Sequence, residues 1–203
     1  MQLVADSTGR PDFQQRIIAI NQCNPYHLHL RLFQDSSPEL AIIFNMKILM
    51  VCLGNICRSP LAEGIMQQKA KQAGLPWTVD SAGTGSWHSG EPPHRLSQKV
   101  SKARGVDISG QKARQFRPAD MLEFDIVFFM DEDNLLDARR MAGNMWVDAK
   151  ASLLLDELYP GESRSVPDPY YGDEPDYHDV FDMISAACDA FINRHLNEKN
   201  NQD

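Results

Sequence analysis

The chain has 203 residues, of which 42% are hydrophobic, and its formal net charge at pH 7 is −8. That length suffices for one domain with a buried core plus an additional segment, whereas the acidic balance argues against a nucleic acid as partner, because no basic stripe is available to replace counterions. No apolar run reaches the roughly 18 residues that a membrane-spanning helix needs, so no membrane partner is expected.

The first 45 residues are the least regular part of the chain. They contain two short apolar patches, Ile17–Ile20 and Leu40–Phe44, and little hydrophobic periodicity. We expect residues 1–45 to be an N-terminal extension that is either poorly ordered or the product of an upstream translation start. A partner-binding arm is the third interpretation, and the folded domain is expected to occupy residues 46–203.

The first predicted strand leads directly into a candidate phosphate-binding loop. Lys47–Cys52 is an apolar run that ends on a cysteine, and the next eight residues read Leu-Gly-Asn-Ile-Cys-Arg-Ser-Pro. Gly54 and Asn55 tolerate tight curvature and left-handed backbone angles, so successive N–H groups can point inward and bind an anion. The residues predicted to surround a phosphate are Leu53, Gly54, Asn55, Ile56 and Cys57.

Three side chains at this loop suit phosphate chemistry. Arg58 offers a planar fork that matches two phosphate oxygens, and Ser59 is predicted to cap the following helix, whose positive end then faces the same anion. The Cys52 thiol in such surroundings ionises readily and becomes a nucleophile without a neighbouring base. A lone C-x5-R pattern also occurs by chance, and buried cysteines are usually inert, but the Gly-Asn-x-Cys-Arg-Ser-Pro context favours the phosphate-binding function.

The rest of the chain alternates strands and helices, which predicts an α/β fold with a single doubly wound four-stranded parallel sheet flanked by helices. The later predicted strands are Thr78–Ser81, Asp125–Met130 (a buried central strand) and Met145–Val147. The predicted helices are Ser59–Ala73, His94–Ala103, Pro118–Glu123, Asp131–Met141, Leu153–Leu158 and Tyr177–Leu196. Ligands of such sheets bind beyond the carboxyl ends of the strands, which is where the loop after strand 1 is placed.

A second motif, Val166–Gly172, contains the candidate proton donor. When Cys52 attacks a phosphate ester, the leaving oxygen needs a proton. Asp168, flanked by two prolines that stiffen the backbone, can supply that proton and then activate water. Tyr170 and Tyr171 can form one wall of a cleft for an aromatic substrate. Alone, the motif would more simply be a proline-rich surface turn, but its pairing with the cysteine loop favours the catalytic role.

Together these motifs resemble the low-molecular-weight protein tyrosine phosphatases. The resemblance extends from about Met46 to near the C-terminus and depends on Cys52–Pro60, Asp80–Thr84, Lys112–Gln115 and Asp168–Tyr170, in that order. It implies a single-domain enzyme that uses no metal or other cofactor. Its reaction would be hydrolysis of phosphotyrosine, in a protein or as a small aryl phosphate, through a cysteinyl-phosphate intermediate.

By matching position, the resemblance also implies roles for individual residues. Cys52 would be the nucleophile, Arg58 the phosphate clamp and Asp168 the general acid. The hydrogen-bond network that holds the loop would consist of Asn55, Ser59 and Ser81.

Two further positions concern the substrate cleft and the support of the loop. Trp87, in the loop after the second strand, would sandwich the phenyl ring of the substrate together with Tyr170, or else would cover a hydrophobic edge. The family often has a histidine where this chain has Gln111. An amide also donates and accepts hydrogen bonds, so we expect support without titration near neutral pH, the alternative being that Gln111 faces solvent.

The cysteines bear on the compartment and on redox behaviour. They are Cys23, Cys52, Cys57 and Cys188, with neither zinc-ligand spacing nor a dense disulfide pattern, which favours a reducing, cytoplasmic compartment. Cys57 is hypothesised to form a reversible disulfide with Cys52 that protects the thiolate from irreversible oxidation. The alternative is that Cys57 only packs beneath the loop.

Three other functions are compatible with parts of this pattern. An arsenate reductase shares the fold and a cysteine loop, but it needs two further cysteines to relay a disulfide, and no pair follows Met130. A phosphocysteine carrier has no obvious use for Arg58 or Asp168, and a silent phosphotyrosine-binding module would have no need of all three catalytic residues. The physiological substrate stays open, and a monomer or a weak homodimer is expected.

Overall fold

Four parallel strands in the order β2-β1-β3-β4 form the centre of the computed structural model, which describes residues 45–200. The strands are β1 (Lys47–Cys52), β2 (Thr78–Gly83), β3 (Ile126–Phe129) and β4 (Ala151–Leu153). Because β1 pairs with β2 on one side and with β3 on the other, the doubly wound parallel sheet predicted from the sequence is confirmed. The prediction for residues 1–45 falls, apart from Asn45, outside the described residues.

In the described part of the chain, five α-helices and three short 3-10 turns connect and flank the strands. The helices are α1 (Arg58–Gln72), α2 (Arg95–Ala103), α3 (Asp120–Glu123), α4 (Glu132–Ala142) and α5 (Glu174–Asn200). The 3-10 turns are Gly143–Met145, Asp148–Lys150 and Leu154–Glu157. Within residues 45–200, none of the helices has the length and apolar character needed to span a bilayer.

Alternate residues of the central strands face two separate cores. On β1, Ile48, Met50 and Cys52 lie in a core with apolar side chains of α1, α2 and α5. Leu49 and Val51 face the opposite core, with residues from α3 and α4. Strands covered on both faces lack a polar face, which is why the apolar runs could be recognised as central strands.

The fourth strand is the element that was wrongly predicted. Met145–Val147 was expected to form it, but β3 pairs instead with Ala151–Leu153. The Trp146 ring packs against Phe129 at 5.9 Å between centroids, while its indole N–H donates to Asp148. Met145–Val147 therefore packs against the sheet instead of pairing with β3. The predicted helix Leu153–Leu158 is a 3-10 turn in the structure.

Candidate active site

The loop after β1 has the tight curvature that the sequence predicts. Asn55 has a φ of 55°, one of two non-glycine residues with positive φ in the described part of the chain. The helix that follows begins at Arg58 with Cys57 in the capping position, where no side-chain cap hydrogen bond occurs among residues 45–200. The prediction that Ser59 caps this helix is therefore wrong, because Ser59 lies inside the helix and its hydroxyl is held by the loop.

That hydroxyl belongs to a hydrogen-bond network that ends at the Cys52 sulfur. The side-chain N–H2 group of Asn55 donates to Ser59 Oγ at 2.9 Å and to Ser81 Oγ at 2.8 Å. Ser59 Oγ lies 3.0 Å from Cys52 Sγ, and the backbone N–H of Asn55 donates to the same sulfur at 3.2 Å. Since Ser59 Oγ accepts from Asn55, its own proton can be donated to sulfur, which stabilises a thiolate.

The Ser59 hydroxyl has a second acceptor, which makes its orientation depend on the charge of the sulfur. The carbonyl oxygen of Ala82 lies 3.4 Å from Ser59 Oγ. While Cys52 is a thiol, its S–H can donate to Ser59 and Ser59 can donate to Ala82. When Cys52 ionises, the hydroxyl gains more from the 3.0 Å contact with a negative sulfur.

A buried carboxyl group lies behind the network. Ser81 Oγ donates to Glu63 Oε2 at 2.6 Å, Gln67 Nε2 donates to Glu63 Oε1 at 3.4 Å, and Glu63 is only 8% exposed. The pKa of Glu63 is raised to about 7: burial is the main cause and Asp80 adds to it, while the hydrogen bond from Ser81 and the charge of Arg114 act in the opposite direction. Gln111 is half-buried, and its support of the loop stays a prediction.

Two backbone segments hold the loop from the side. The backbone N–H of Arg114, in the Lys-Ala-Arg-Gln segment, donates to Asn55 Oδ1 at 2.8 Å. At the end of β2, Gly83 passes so close to the loop that a Cβ atom there would lie 2.8 Å from Leu53 O and 3.1 Å from Asn55 N. Only glycine therefore permits the observed spacing between β2 and the loop.

The Arg58 guanidinium is buried between two carboxylates. Its NH1 donates to Asp131 Oδ2 at 2.5 Å and its NH2 to Asp168 Oδ2 at 2.6 Å. Burial lowers the pKa of Arg58, but Cys52, Asp168 and Asp131 outweigh that effect, so the pKa rises overall. The Nε–H of Arg58 is buried and has no hydrogen-bond partner within residues 45–200, which leaves a charged donor available for an anion.

The loop that contains Asp168 is fastened to the same arginine. Val166 is buried; its N–H donates to the carbonyl of Met130 at 2.7 Å and its carbonyl accepts from Arg58 NH1 at 3.1 Å. The backbone N–H of Tyr170 donates to Asp168 Oδ1 at 3.1 Å, so the Asp168 carboxylate is oriented at both oxygens. With 41% of its side chain exposed, Asp168 lies at the open side of the site.

These groups line a cleft of about 380 Å3. Its wall is mainly aromatic: Trp87 is 63% exposed, Tyr170 41% and Tyr171 97%. His88 also lines the cleft, with its ring centroid 6.2 Å from that of Trp87 and 6.4 Å from that of Tyr170. The lining residues are Cys52, Leu53, Gly54, Ile56, Cys57, Arg58, Trp87, His88, Asp168, Tyr170 and Tyr171.

Cys57 faces away from solvent and contacts the last helix. Its Sγ lies 3.5 Å from the Tyr177 hydroxyl, and burial raises its pKa to about 12, so it is a thiol at neutral pH. All three cysteines in the described part of the chain are free thiols. A disulfide between Cys52 and Cys57 stays a prediction.

Comparison with known proteins assigns this geometry to a family. Residues 47–202 match the model of the family described as low molecular weight phosphotyrosine protein phosphatase. The chain belongs to this family. The match covers the strand, the loop, the Asp168 motif and the last helix, which is most of the 203-residue chain.

Individual phosphatases of the family confirm that assignment. The low molecular weight phosphotyrosine protein phosphatase 2 of Drosophila melanogaster is 40% identical over 148 residues, which cover 71% of this chain and 89% of the relative. Bacillus subtilis YfkJ, a low molecular weight protein-tyrosine-phosphatase, is 38% identical over 149 residues, covering 72% and 94%. The YfkJ crystal structure has a TM-score of 0.69 and covers 76% of this chain and 97% of its own. A Drosophila structure titled arginine phosphatase is 32% identical, with a TM-score of 0.68 and coverage of 74% and 98%.

Three residues of this phosphatase site were missed by the sequence analysis. Asp131 follows the buried run Ile126–Met130, and an acidic residue directly after a central parallel strand is a signal that could have identified it. Glu63 has no such signal, because a single glutamate on a helix is usually exposed. His88 was not predicted, because the sequence indicated a substrate contact only for its neighbour Trp87. The folded loop shows that His88 also lines the cleft.

Proposed function

We propose that this protein is a protein tyrosine phosphatase in which Cys52 is the nucleophile, Arg58 the phosphate clamp and Asp168 the general acid. Family membership supports the reaction class. The observation that carries the residue roles is the convergence of donors beside Cys52 Sγ: two hydrogen bonds reach the sulfur, and a buried arginine presents an unpartnered N–H to the same cleft.

The first chemical step forms a sulfur–phosphorus bond. The Cys52 thiolate attacks phosphorus, the bond from phosphorus to the phenolic oxygen breaks, and Asp168 transfers its proton to that oxygen. Backbone N–H groups of the loop and the Arg58 fork hold the peripheral phosphate oxygens. The products are the free phenol and a cysteinyl-phosphate.

The second step hydrolyses that intermediate. Asp168, now a carboxylate, accepts a proton from water while the water oxygen bonds to phosphorus and the sulfur–phosphorus bond breaks. Inorganic phosphate leaves, and the Cys52 thiolate is regenerated within reach of the Ser59 hydroxyl. Every protein group used in both steps is a side chain or a backbone N–H of this chain, so we propose that no cofactor takes part.

The substrate class follows from the shape of the cleft. Cys52 is 1% exposed, at the bottom of a cleft whose rim is aromatic. A phosphotyrosine side chain is long enough to bring its phosphate to the sulfur while its ring contacts Trp87 or Tyr170. A phosphoserine side chain is too short, because the peptide backbone would meet the rim first. Small aryl phosphates fit by the same argument.

The remaining proposals concern the domain, its compartment and its assembly. We propose that residues 46–203 form the catalytic unit and that the preceding segment is dispensable. The backbone N–H of Lys47 donates to Asp125 and the Met46 carbonyl accepts from Thr78, so a chain that starts at Met46 keeps both contacts. A thiolate enzyme requires a reducing compartment, which supports a cytoplasmic location, and we propose a monomer or weak homodimer.

The experiment that tests the function is release of phosphate from matched peptides. Phosphotyrosine, phosphoserine and phosphoarginine peptides of one sequence would be incubated with wild type and Cys52→Ser, in the presence of a chelator. We expect chelator-resistant turnover of the phosphotyrosine peptide that Cys52→Ser abolishes. Faster turnover of the phosphoarginine peptide would make phosphoarginine, not phosphotyrosine, the substrate class. An absence of turnover with all three peptides would favour a carrier or binding module.

A further inference from the structure

A buried tyrosine and a histidine connect three segments of the active site. Tyr177, in the first turn of α5, is fully buried, and its hydroxyl lies 2.8 Å from His94 Nδ1 and 3.5 Å from Cys57 Sγ. The two rings stack at 5.3 Å with an interplanar angle of 17°. His94 precedes α2, and its backbone N–H donates to the carbonyl of Ile56 in the phosphate-binding loop at 2.7 Å.

The hydrogen atoms of this cluster can be assigned from one obligatory donor. The backbone N–H of Leu96 points at His94 Nδ1 at 3.4 Å, as the cap of α2. A backbone N–H can only donate, so Nδ1 holds a lone pair and the ring proton is on Nε2. The Tyr177 hydroxyl at 2.8 Å must then donate to Nδ1 as well, which leaves the Cys57 S–H as the donor to Tyr177 Oη.

The ionisation of the groups agrees with this chain of donors. Burial raises the pKa of Tyr177 above its ordinary value and that of Cys57 to about 12, so both keep their protons at neutral pH. Burial, and then the neighbouring Arg95, lower the pKa of His94, so its ring is neutral. An imidazole in this state accepts from both Tyr177 and Leu96.

The cluster lies at the downstream end of the Asp168 loop. At the upstream end, Val166 is held by Met130 and by Arg58. Downstream, the chain enters α5 after Gly172, and Tyr177 is the buried side chain of the first helical turn. The Tyr170 ring, which lines the cleft, lies 6.0 Å from the His94 ring.

We propose that the Tyr177–His94 hydrogen bond is a positioning contact that fixes the Asp168 loop and the Tyr170 wall against the phosphate-binding loop. The role of Asp168 on which this depends is that of the proposed function. The contact joins the first turn of α5 to the residue that precedes α2, and through the backbone N–H of His94 to Ile56 of the phosphate-binding loop.

The test compares Tyr177→Phe with wild type on two substrates that differ in their need for a proton donor. Phenyl phosphate has a basic leaving group that depends on Asp168, whereas p-nitrophenyl phosphate leaves with little assistance. We expect kcat/KM to fall about threefold to tenfold for phenyl phosphate, as the loss of one hydrogen bond implies, and less than about twofold for p-nitrophenyl phosphate. Tyr159→Phe, which removes an exposed hydroxyl, is the matched control and should change neither.

A double-mutant cycle separates positioning from stability. His94→Asn keeps a side chain that can cap α2 but removes the imidazole, and combined with Tyr177→Phe it should cause no further loss of phenyl phosphate turnover. Equal losses of kcat/KM on phenyl phosphate and p-nitrophenyl phosphate would mean that the contact has only a structural role. Additive losses in the double mutant would mean the same. Equilibrium unfolding of the same four proteins measures the Tyr177–His94 coupling without turnover. A wild type that releases no phosphate would therefore refute the proposed function and leave this contact measurable.

Discussion

The buried carboxyl group of Glu63 leads to a quantitative prediction about pH and stability. Glu63→Gln keeps an oxygen that accepts from Ser81 but removes the ionisable group. Burial raises the pKa of Glu63 from its ordinary 4.5 to about 7, with Asp80 adding to the effect. In the unfolded chain the same carboxyl group would titrate near its ordinary value.

The direction in which the free energy of unfolding changes with pH follows from proton binding. Between about pH 4.5 and pH 7 the folded state holds a proton on Glu63 that the unfolded state has lost, so the free energy of unfolding decreases as the pH rises through this window. A pKa difference of one unit between the folded and unfolded states corresponds to about 1.4 kcal/mol of unfolding free energy. The rise from 4.5 to about 7 therefore corresponds to about 3 kcal/mol. The stabilisation is complete below about pH 4.5 and lost above about pH 7.

The measurement is urea unfolding of wild type and Glu63→Gln at several values between pH 4 and pH 8. The stability of the variant relative to wild type should increase by about 3 kcal/mol across the series, with most of the change between about pH 4.5 and pH 7. Glu162→Gln, at an exposed position, should follow wild type throughout. Parallel curves for Glu63→Gln and wild type, within about 0.5 kcal/mol, would refute the assignment of a raised pKa to this buried group.

Three further substitutions test the geometry of the site. Asp131→Asn removes a charged partner of the buried guanidinium, and kcat/KM for phosphotyrosine should fall about tenfold to a hundredfold; an unchanged value would mean that the pairing does not orient it. Gly83→Ala places a Cβ 2.8 Å from Leu53 O and should cost at least about tenfold in kcat/KM by displacing the loop, whereas Gly110→Ala, which meets nothing within 4 Å, should not. Trp87→Ala should raise KM for aryl phosphates severalfold without changing inhibition by inorganic phosphate, and an unchanged KM would count against the aromatic slot.

The sequence was most informative where structure is local. The strand Lys47–Cys52 was predicted with its exact bounds, because a continuous apolar run followed by a glycine-containing loop has one simple interpretation. The prediction of the fourth strand was wrong because Met145–Val147 is the more apolar of two short segments, whereas tertiary contacts pair Ala151–Leu153, which contains Ser152, with β3. Helix starts were off by one to three residues for the same reason.

The error at Ser59 has a different cause. Its residue type and its position before Pro60 are typical of a helix cap, but the loop offers this hydroxyl stronger partners: the Asn55 amide at 2.9 Å and the Cys52 sulfur at 3.0 Å. Local capping preference was outweighed by a network whose other members, Ser81 and Glu63, come from separate elements. Such a network cannot be read from residue spacing, because its partners are 18 and 26 residues apart along the chain.

Two carboxylates compete with a phosphate dianion for Arg58, and they are held differently. Both oxygens of Asp131 are engaged, one by Arg58 and one by the backbone N–H of Asn134 at 2.7 Å, and its side chain is 20% exposed. Asp168 lies on a loop with 41% of its side chain exposed, and it accepts a hydrogen bond from NH2 of Arg58. The Nε–H of the same guanidinium has no partner among the described residues. A phosphate can therefore displace Asp168 from one side of the guanidinium without disturbing Asp131 on the other. We infer that Asp131 keeps the arginine oriented throughout turnover, while Asp168 gives up its bond to Arg58 when phosphate binds.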